Sequence, residues 1–120
     1  MFLKIRERIL KTILQNPPEG DLTEFEPEDK YKISCIFVFY KRIHLLECIL
    51  FCLSEQDFDR YDFEIIIVED RGGTEDGKTI KDRFPSLNIR YFNPSNKWGV
   101  MGYMRNFGLS RARGEIVLFL

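Results

Sequence analysis

Histidine is almost missing from this sequence: His44 is the only one. Cysteine is scarce too, with three residues, Cys35, Cys48 and Cys52. A Cys/His metal site needs more ligands than these provide, so no metal centre is expected. An odd number of cysteines inside apolar segments excludes a disulfide framework. It reads instead as reduced, buried thiols of an intracellular, cytoplasmic protein. Charge of one sign is not in excess: 18 basic and 19 acidic residues leave a formal net charge of -1. A nucleic-acid binder driven by bulk charge is thereby disfavoured. No internal repeat or low-complexity tract is visible. Residues 1–16 are too charged and too short to span a bilayer, and they lack the unbroken apolar core of a signal peptide.

What is present is enough apolar matter for a core, 44% of 120 residues, which suits one ordinary domain. The chain is organised around Glu64–Gly73. Ile65, Ile66, Ile67 and Val68 run without a polar break, then Glu69 and Asp70 follow, then Gly72 and Gly73. An unbroken apolar run of this kind fits a strand buried on both faces, as in a parallel sheet covered by helices. Ligands of such sheets bind beyond the carboxyl ends of the strands, which is where the two acids fall.

Met1–Asn16 carries Phe2, Ile5, Ile9 and Ile13 at helical spacing, with Lys4, Arg6, Arg8 and Lys11 on the other side. This predicts an amphipathic helix that packs on its own domain or on another chain, rather than on a membrane. Pro17 and Pro18 stop it, and residues 17–31 form an acidic linker. From residue 32 to 120 the pattern alternates strand and helix. Strands are expected over Lys32–Tyr40, the Glu64 stretch, Asn88–Phe92 and Glu115–Leu120. Helices are expected over Ile43–Gln56, Asp76–Phe84 and Tyr103–Arg113, the last closed by Gly114 as a C′ glycine. The result is a doubly wound α/β layer with a mostly parallel sheet and helices on both faces.

Four segments of this pattern resemble the nucleotide-binding half of family 2 glycosyltransferases of the GT-A fold. Ile33–Arg42 is similar to the family's first strand and its Tyr-Asn-Arg turn, with Lys41 in place of Asn. Phe63–Asp70 is similar to the strand ending in Asp-Asp, with Glu69 in place of the first Asp. Asn96–Gly108 resembles the Asn-x-Gly…Ala-Arg-Asn-x-Gly segment: Arg105, Asn106 and Gly108 match, and Met104 stands for Ala. Arg113–Leu120 resembles the strand that leads into the Asp-x-Asp motif. The sequence stops where that motif would begin. The resemblance therefore implies a donor-nucleotide subdomain that lacks both the metal-binding motif and the catalytic base.

It further implies a nucleotide-diphospho-sugar donor, a UDP-sugar first, and an acceptor glycan or lipid. Mg or Mn would act only in a longer parent protein, which could associate with a membrane. The expected donor-binding residues are Val38, Tyr40, Arg42, Asp70, Arg105 and Asn106; no catalytic residue is assigned. Asp70 can accept hydrogen bonds from a base or ribose, or else cap a turn. Glu69 can line the site or pair with Arg71. Val38 would meet the nucleotide through its backbone, or serve as plain strand core. Tyr40 offers a ring face, or simply covers the helix. Arg105 brings a planar donor array for a diphosphate, or a surface ion pair. Asn106 can read a base edge or cap a loop. Gly99 and Gly102 would let a loop approach a phosphate, or mark only a turn.

Two other readings of the same residues stay open at this level. Ile-Val-Glu-Asp also resembles the acidic strand end of phosphoacceptor receiver domains. A non-catalytic interaction module would keep the fold without the chemistry. The apolar last strand, with no Pro or Lys to blunt its edge, suggests a homo-oligomer formed through that strand or through the first helix.

Overall fold

The computed structural model describes residues 31–59, 61–70, 75–94 and 99–120; the expected first helix and its linker up to residue 30 lie outside them. In chain order the elements are β1 (Tyr31–Phe39), α1 (Ile43–Ser54), β2 (Phe63–Glu69), α2 (Glu75–Thr79) running into a 3₁₀ turn (Ile80–Arg83), β3 (Ile89–Phe92), α3 (Met101–Arg111) and β4 (Gly114–Phe119). The strands form a four-stranded sheet of order β3-β2-β1-β4, and every pairing is parallel.

Side chains alternate across the sheet, so each apolar strand feeds two cores. Cys35, Phe37 and Phe39 of β1 join Ile65 and Ile67 of β2 under Leu46 and Leu50 of α1 and Ile80 of the 3₁₀ turn. Ile36, Ile66 and Val68 face the other way, against Met104 and Phe107 of α3 and Ala112. Ile65, Ile66, Ile67 and Val68 are all fully buried, which explains the unbroken run. Each such side chain contributes about 1.5–3 kcal/mol relative to an exposed one.

The order of the strands carries functional information. From β1 the chain steps outward to β2 and β3, with its connecting helices on one face. It then crosses by α3 on the opposite face and returns to β4, on the far side of β1. This is the opening of the 3-2-1-4 dinucleotide-binding order, whose switch point lies between β1 and β4. Receiver domains follow 2-1-3 instead. The receiver-like reading is therefore excluded by topology.

Several sequence expectations need correction. Helix α3 spans Met101–Arg111, two residues earlier than expected at each end, because the Val100 carbonyl already accepts the Met104 N–H at 3.1 Å. Gly114 is not a helix C′ residue. It opens β4, where an added Cβ would lie 2.4 Å from the Ser34 nitrogen. Its role is close backbone approach between β4 and β1. Of the cysteines only Cys35 is buried; Cys48 and Cys52 are exposed on α1. Apolar neighbours in sequence had suggested burial, but α1 is apolar on its outer side as well. Burial, and then the nearby Glu64 carboxylate, push the Cys35 thiol pKa up. On the far flank of α1, Glu47 accepts a bond from Arg83 of the 3₁₀ turn, which lowers the pKa of its carboxyl.

Candidate functional site

Beyond the carboxyl end of β2 stands Asp70, only 8% exposed. Its own N–H donates to the Phe39 carbonyl of β1 at 2.8 Å, extending the ladder by one bond. Both of its carboxylate oxygens accept the Gly99 N–H, at 2.9 and 3.1 Å. Gly99 has φ 78°, a left-handed conformation that suits glycine. So Asp70 anchors the turn that leads into α3. A carboxylate has about four lone-pair sites, so anchoring Gly99 is compatible with accepting a ligand N–H or hydroxyl.

Glu69 is turned to the other face and is buried at 2% exposure. It accepts a hydrogen bond from the Tyr91 hydroxyl. Gly77 of α2 sits directly over it: a Cβ there would fall 2.2 Å from Glu69 Oε2. Glu69 thus knits β2, β3 and α2 together, and neither Tyr91 nor Gly77 had been singled out from sequence.

The turn after β1 brings Tyr40, Lys41 and Arg42 to the same end of the sheet. Tyr40 is 39% exposed, with the Lys41 ammonium 5.1 Å from its ring centroid. Lys41 has φ 58°. After glycine, Asn tolerates this region best, and Asn is what the resembled family turn carries there. Arg42 is exposed and occupies the N-cap position of α1 without a side-chain cap bond. Val38 is half-buried and packs with the α3-side core, so its side chain is structural and only its backbone faces the strand end.

Helix α3 begins immediately after the Asp70-held turn and packs on β1 and β2. Arg105 is exposed and Asn106 half-buried, both about one turn into the helix. Gly108 explains itself: a Cβ would meet Ile36 Cγ2 at 2.6 Å and Val68 Cγ2 at 3.3 Å, so the helix lies close to the sheet only because this residue has no side chain. Gly102 has open space around its Cα, and nothing in the structure requires a glycine there. The structure therefore gathers Val38, Tyr40, Arg42 and Asp70 at adjacent strand ends. It places Arg105 and Asn106 on the helix that starts beside them. Arg71 to Thr74 and Ser95 to Trp98 lie outside the described residues.

The opposite end of the sheet holds a buried polar cluster that sequence reasoning passed over. Glu64 is 1% exposed and Ser34 fully buried. Ser34 Oγ donates to Glu64 Oε1 at 2.7 Å, and the Arg113 N–H donates to the same oxygen at 2.7 Å. The Gly114 N–H donates to Ser34 Oγ at 2.7 Å. Arg90 Nη1 reaches Glu64 Oε2 at 3.3 Å and the Arg111 carbonyl at 2.7 Å. Burial presses the Arg90 guanidinium pKa down, and the Glu64 carboxylate opposes that. A glutamate opening an otherwise apolar central strand was the available signal.

Comparison with known proteins bears on what these residues serve. The model of the family described as Glycosyl transferase family 2 matches residues 34–120. The chain belongs to that family. A curated relative, poly(ribitol-phosphate) β-N-acetylglucosaminyltransferase TarS of Staphylococcus aureus, is 29% identical over 89 residues; the match takes in 74% of this chain and 16% of TarS. The crystal structure of S. aureus TarS overlays with a TM-score of 0.63 at 32% identity, over 74% of this chain and 16% of that one. The structure of TarS 1–349 in complex with UDP-GlcNAc gives 0.60 at 30% identity, over 74% of this chain and 26% of that one. The mannosyltransferase PcManGT of Pyrobaculum calidifontis, in complex with GDP-Man and Mn²⁺, gives 0.63 at 22% identity over 97% of this chain and 33% of that one, a likeness of fold. This family-2 chain thus spans about a sixth of the TarS length.

Family membership also raises the question of a cation. Among the described residues no three His, Cys, Asp or Glu side chains gather into a group that could hold a metal ion. Asp70 is engaged with Gly99, and Glu69 with Tyr91, on opposite faces of β2. The described residues do not fit a divalent cation. Among them, too, no helix is long and apolar enough to cross a membrane.

Proposed function

We propose that this chain is the donor-nucleotide-binding part of a family 2 glycosyltransferase. The parent activity is transfer of a sugar from a nucleoside-diphospho-sugar, a UDP-sugar first, to an acceptor hydroxyl of a glycan or lipid. Residues 32–120 form the binding layer. The observation that carries this reading is Asp70: a nearly buried carboxylate at the carboxyl end of a central strand, one strand from the switch point. That is the position from which open α/β sheets hold nucleotides. The complex of TarS with UDP-GlcNAc supports the choice of donor class.

In this reading Asp70 accepts hydrogen bonds from the base, and the Val38 backbone and the Tyr40 ring border it. Arg105 supplies a permanently charged donor array for the diphosphate, Arg42 a second cation, and Asn106 a mixed donor and acceptor. Sugar transfer needs a base to deprotonate the acceptor and a means to stabilise the leaving diphosphate. In this reading the described residues serve binding and orientation of the donor.

Isothermal calorimetry with UDP, UDP-GlcNAc and GDP-Man tests this. Uridine nucleotides should bind weakly, and Asp70→Ala should abolish the heat. A mutant with unchanged affinity removes Asp70 from the site. Absence of binding by every nucleotide tried overturns the reading and leaves a non-catalytic module.

A further inference from the structure

Helix α1 carries two thiols on its outer side. Leu46 and Leu50 are fully buried and seat the helix on the core of β1 and β2. Each residue of a helix turns by about 100°. Cys48 and Cys52, two places after those leucines, therefore point the opposite way. Both are exposed free thiols, whereas Cys35 is buried in the core that α1 covers. A spacing of four sets Cys48 and Cys52 one above the other on one face. Side chains at the helix end hold the last turn in helical form. Gln56 Nε2 donates to the Cys52 carbonyl at 3.1 Å, and Ser54 Oγ donates to the Phe51 carbonyl at 2.7 Å. This geometry disfavours one chemistry and suits another. Cβ atoms four apart on a helix are about 5–6 Å from each other, but a disulfide needs about 3.5–4.5 Å. A direct S–S bond would have to distort a helix that its buried leucines hold in place. One atom inserted between the sulfurs bridges the gap: two metal–thiolate bonds of about 2.3 Å allow sulfurs up to about 4.6 Å apart.

We propose that Cys48 and Cys52 form a two-thiolate site for a soft, two-coordinate cation, with copper(I) as its reference ion. Thiolates select Cu(I) and zinc over Mg, Ca and Mn, which prefer oxygen ligands. Zinc asks for four ligands, and α1 offers two. Cys35 lies in the core on the other side of the helix, and among the described residues no third His, Cys, Asp or Glu completes a group. His44 is one turn before Cys48, with Nδ1 3.4 Å from Glu47 Oε2. It is about 12 Å along the helix axis from Cys52, too far to share an ion with both sulfurs. Leu45 and Phe51, 48% and 58% exposed, flank the thiols with apolar surface. Such a border limits the access of water to a metal site. Binding changes no oxidation state: each thiol gives its proton to solvent as its sulfur bonds to the ion. Both ligands lie within α1, so the site asks for nothing beyond that helix.

Copper(I) itself is the probe, buffered by bicinchoninate and titrated without oxygen into the intact chain with its thiols reduced. One ion per chain should bind, with no change of mass in light scattering. Affinity should fall as the pH is lowered, because protons compete for the sulfurs. Cys48→Ser and Cys52→Ser should each weaken binding by more than the roughly 10–100-fold that an outer partner is worth to a metal site. Circular dichroism checks that each variant stays folded, and both positions are exposed. Cys48→Ala combined with Phe51→Cys keeps the number of outer thiols but sets them side by side in sequence, where side chains do not face each other. It should bind as poorly as the serine variants. Undiminished affinity in either serine variant overturns the proposal. So does tight binding when the two thiols are adjacent in sequence. One ion per two chains, with a doubled mass, overturns it as well and makes the two thiols a bridge between copies.

Discussion

The two ends of this sheet treat buried carboxylates in opposite ways. At the amino end Glu64 is locked between a hydroxyl, a backbone N–H and a guanidinium. All of these lie on strands or on the short link from α3 to β4, and together they weld β1, β2, β3 and β4. At the carboxyl end Asp70 holds a glycine in a turn, next to a left-handed Lys41 and a half-exposed Tyr40. The first end is closed by its own chemistry; at the second, Glu69 is tied to Tyr91 on one face, while Asp70 on the other is set among turns. Buried charge alone therefore does not mark a site. What separates Asp70 from Glu64 is which end of a parallel strand each occupies.

The most damaging way to probe this contrast is Glu64→Ala. It strips a carboxylate from under Arg90 and leaves the Ser34 and Arg113 donors unpaired, so a loss of about 3–5 kcal/mol is expected in urea unfolding. Donor binding by the fraction still folded should be unchanged. A loss under 1 kcal/mol would mean that the cluster is not welded.

Asp70→Asn should invert that pattern. The amide oxygen can still accept the Gly99 N–H, so stability should shift little. Uridine nucleotide affinity should fall by about 1.5–3 kcal/mol, the usual worth of a hydrogen bond to a charged group. Calorimetry paired with unfolding separates the two effects. Equal losses in both would reduce Asp70 to a turn anchor.

Gly108→Ala tests the helix that joins the two ends. With Ile36 Cγ2 only 2.6 Å from the new Cβ, overpacking should cost about 1–3 kcal/mol. A thermal melt reads the cost, and Gly102→Ala, in open space, should instead be neutral or slightly stabilising.

The smallest effect is expected at Lys41. Its φ of 58° suits glycine better, so Lys41→Gly should gain up to about 1 kcal/mol in stability. Should donor binding weaken at the same time, the lysine side chain itself contributes to the site. Added Mg²⁺ should change donor affinity little, since the described residues gather no carboxylate group for it.

Sequence periodicity determined much of this protein. The apolar runs of β1 and β2 announced strands buried on both faces, because only a parallel sheet covered by helices removes every residue of such a run from water. Their punctuation by polar tips, Pro and Gly located the connections to within a few residues, and the acids after Val68 pointed to the carboxyl end of the sheet. Neighbours in space were beyond its reach. That Gly99 would be held by Asp70, that Gly77 would sit over Glu69, and that Gly114 would touch Ser34 all depend on which strands pair and on which face each helix crosses. The first and last of those contacts join residues 29 and 80 positions apart, and local pattern carries no record of them. A single glutamate at the head of an apolar strand looks the same whether it meets solvent or a buried arginine. Only the order β3-β2-β1-β4 decided that Glu64 meets residues of β1 and β3 and that Asp70 stands one strand from the switch point.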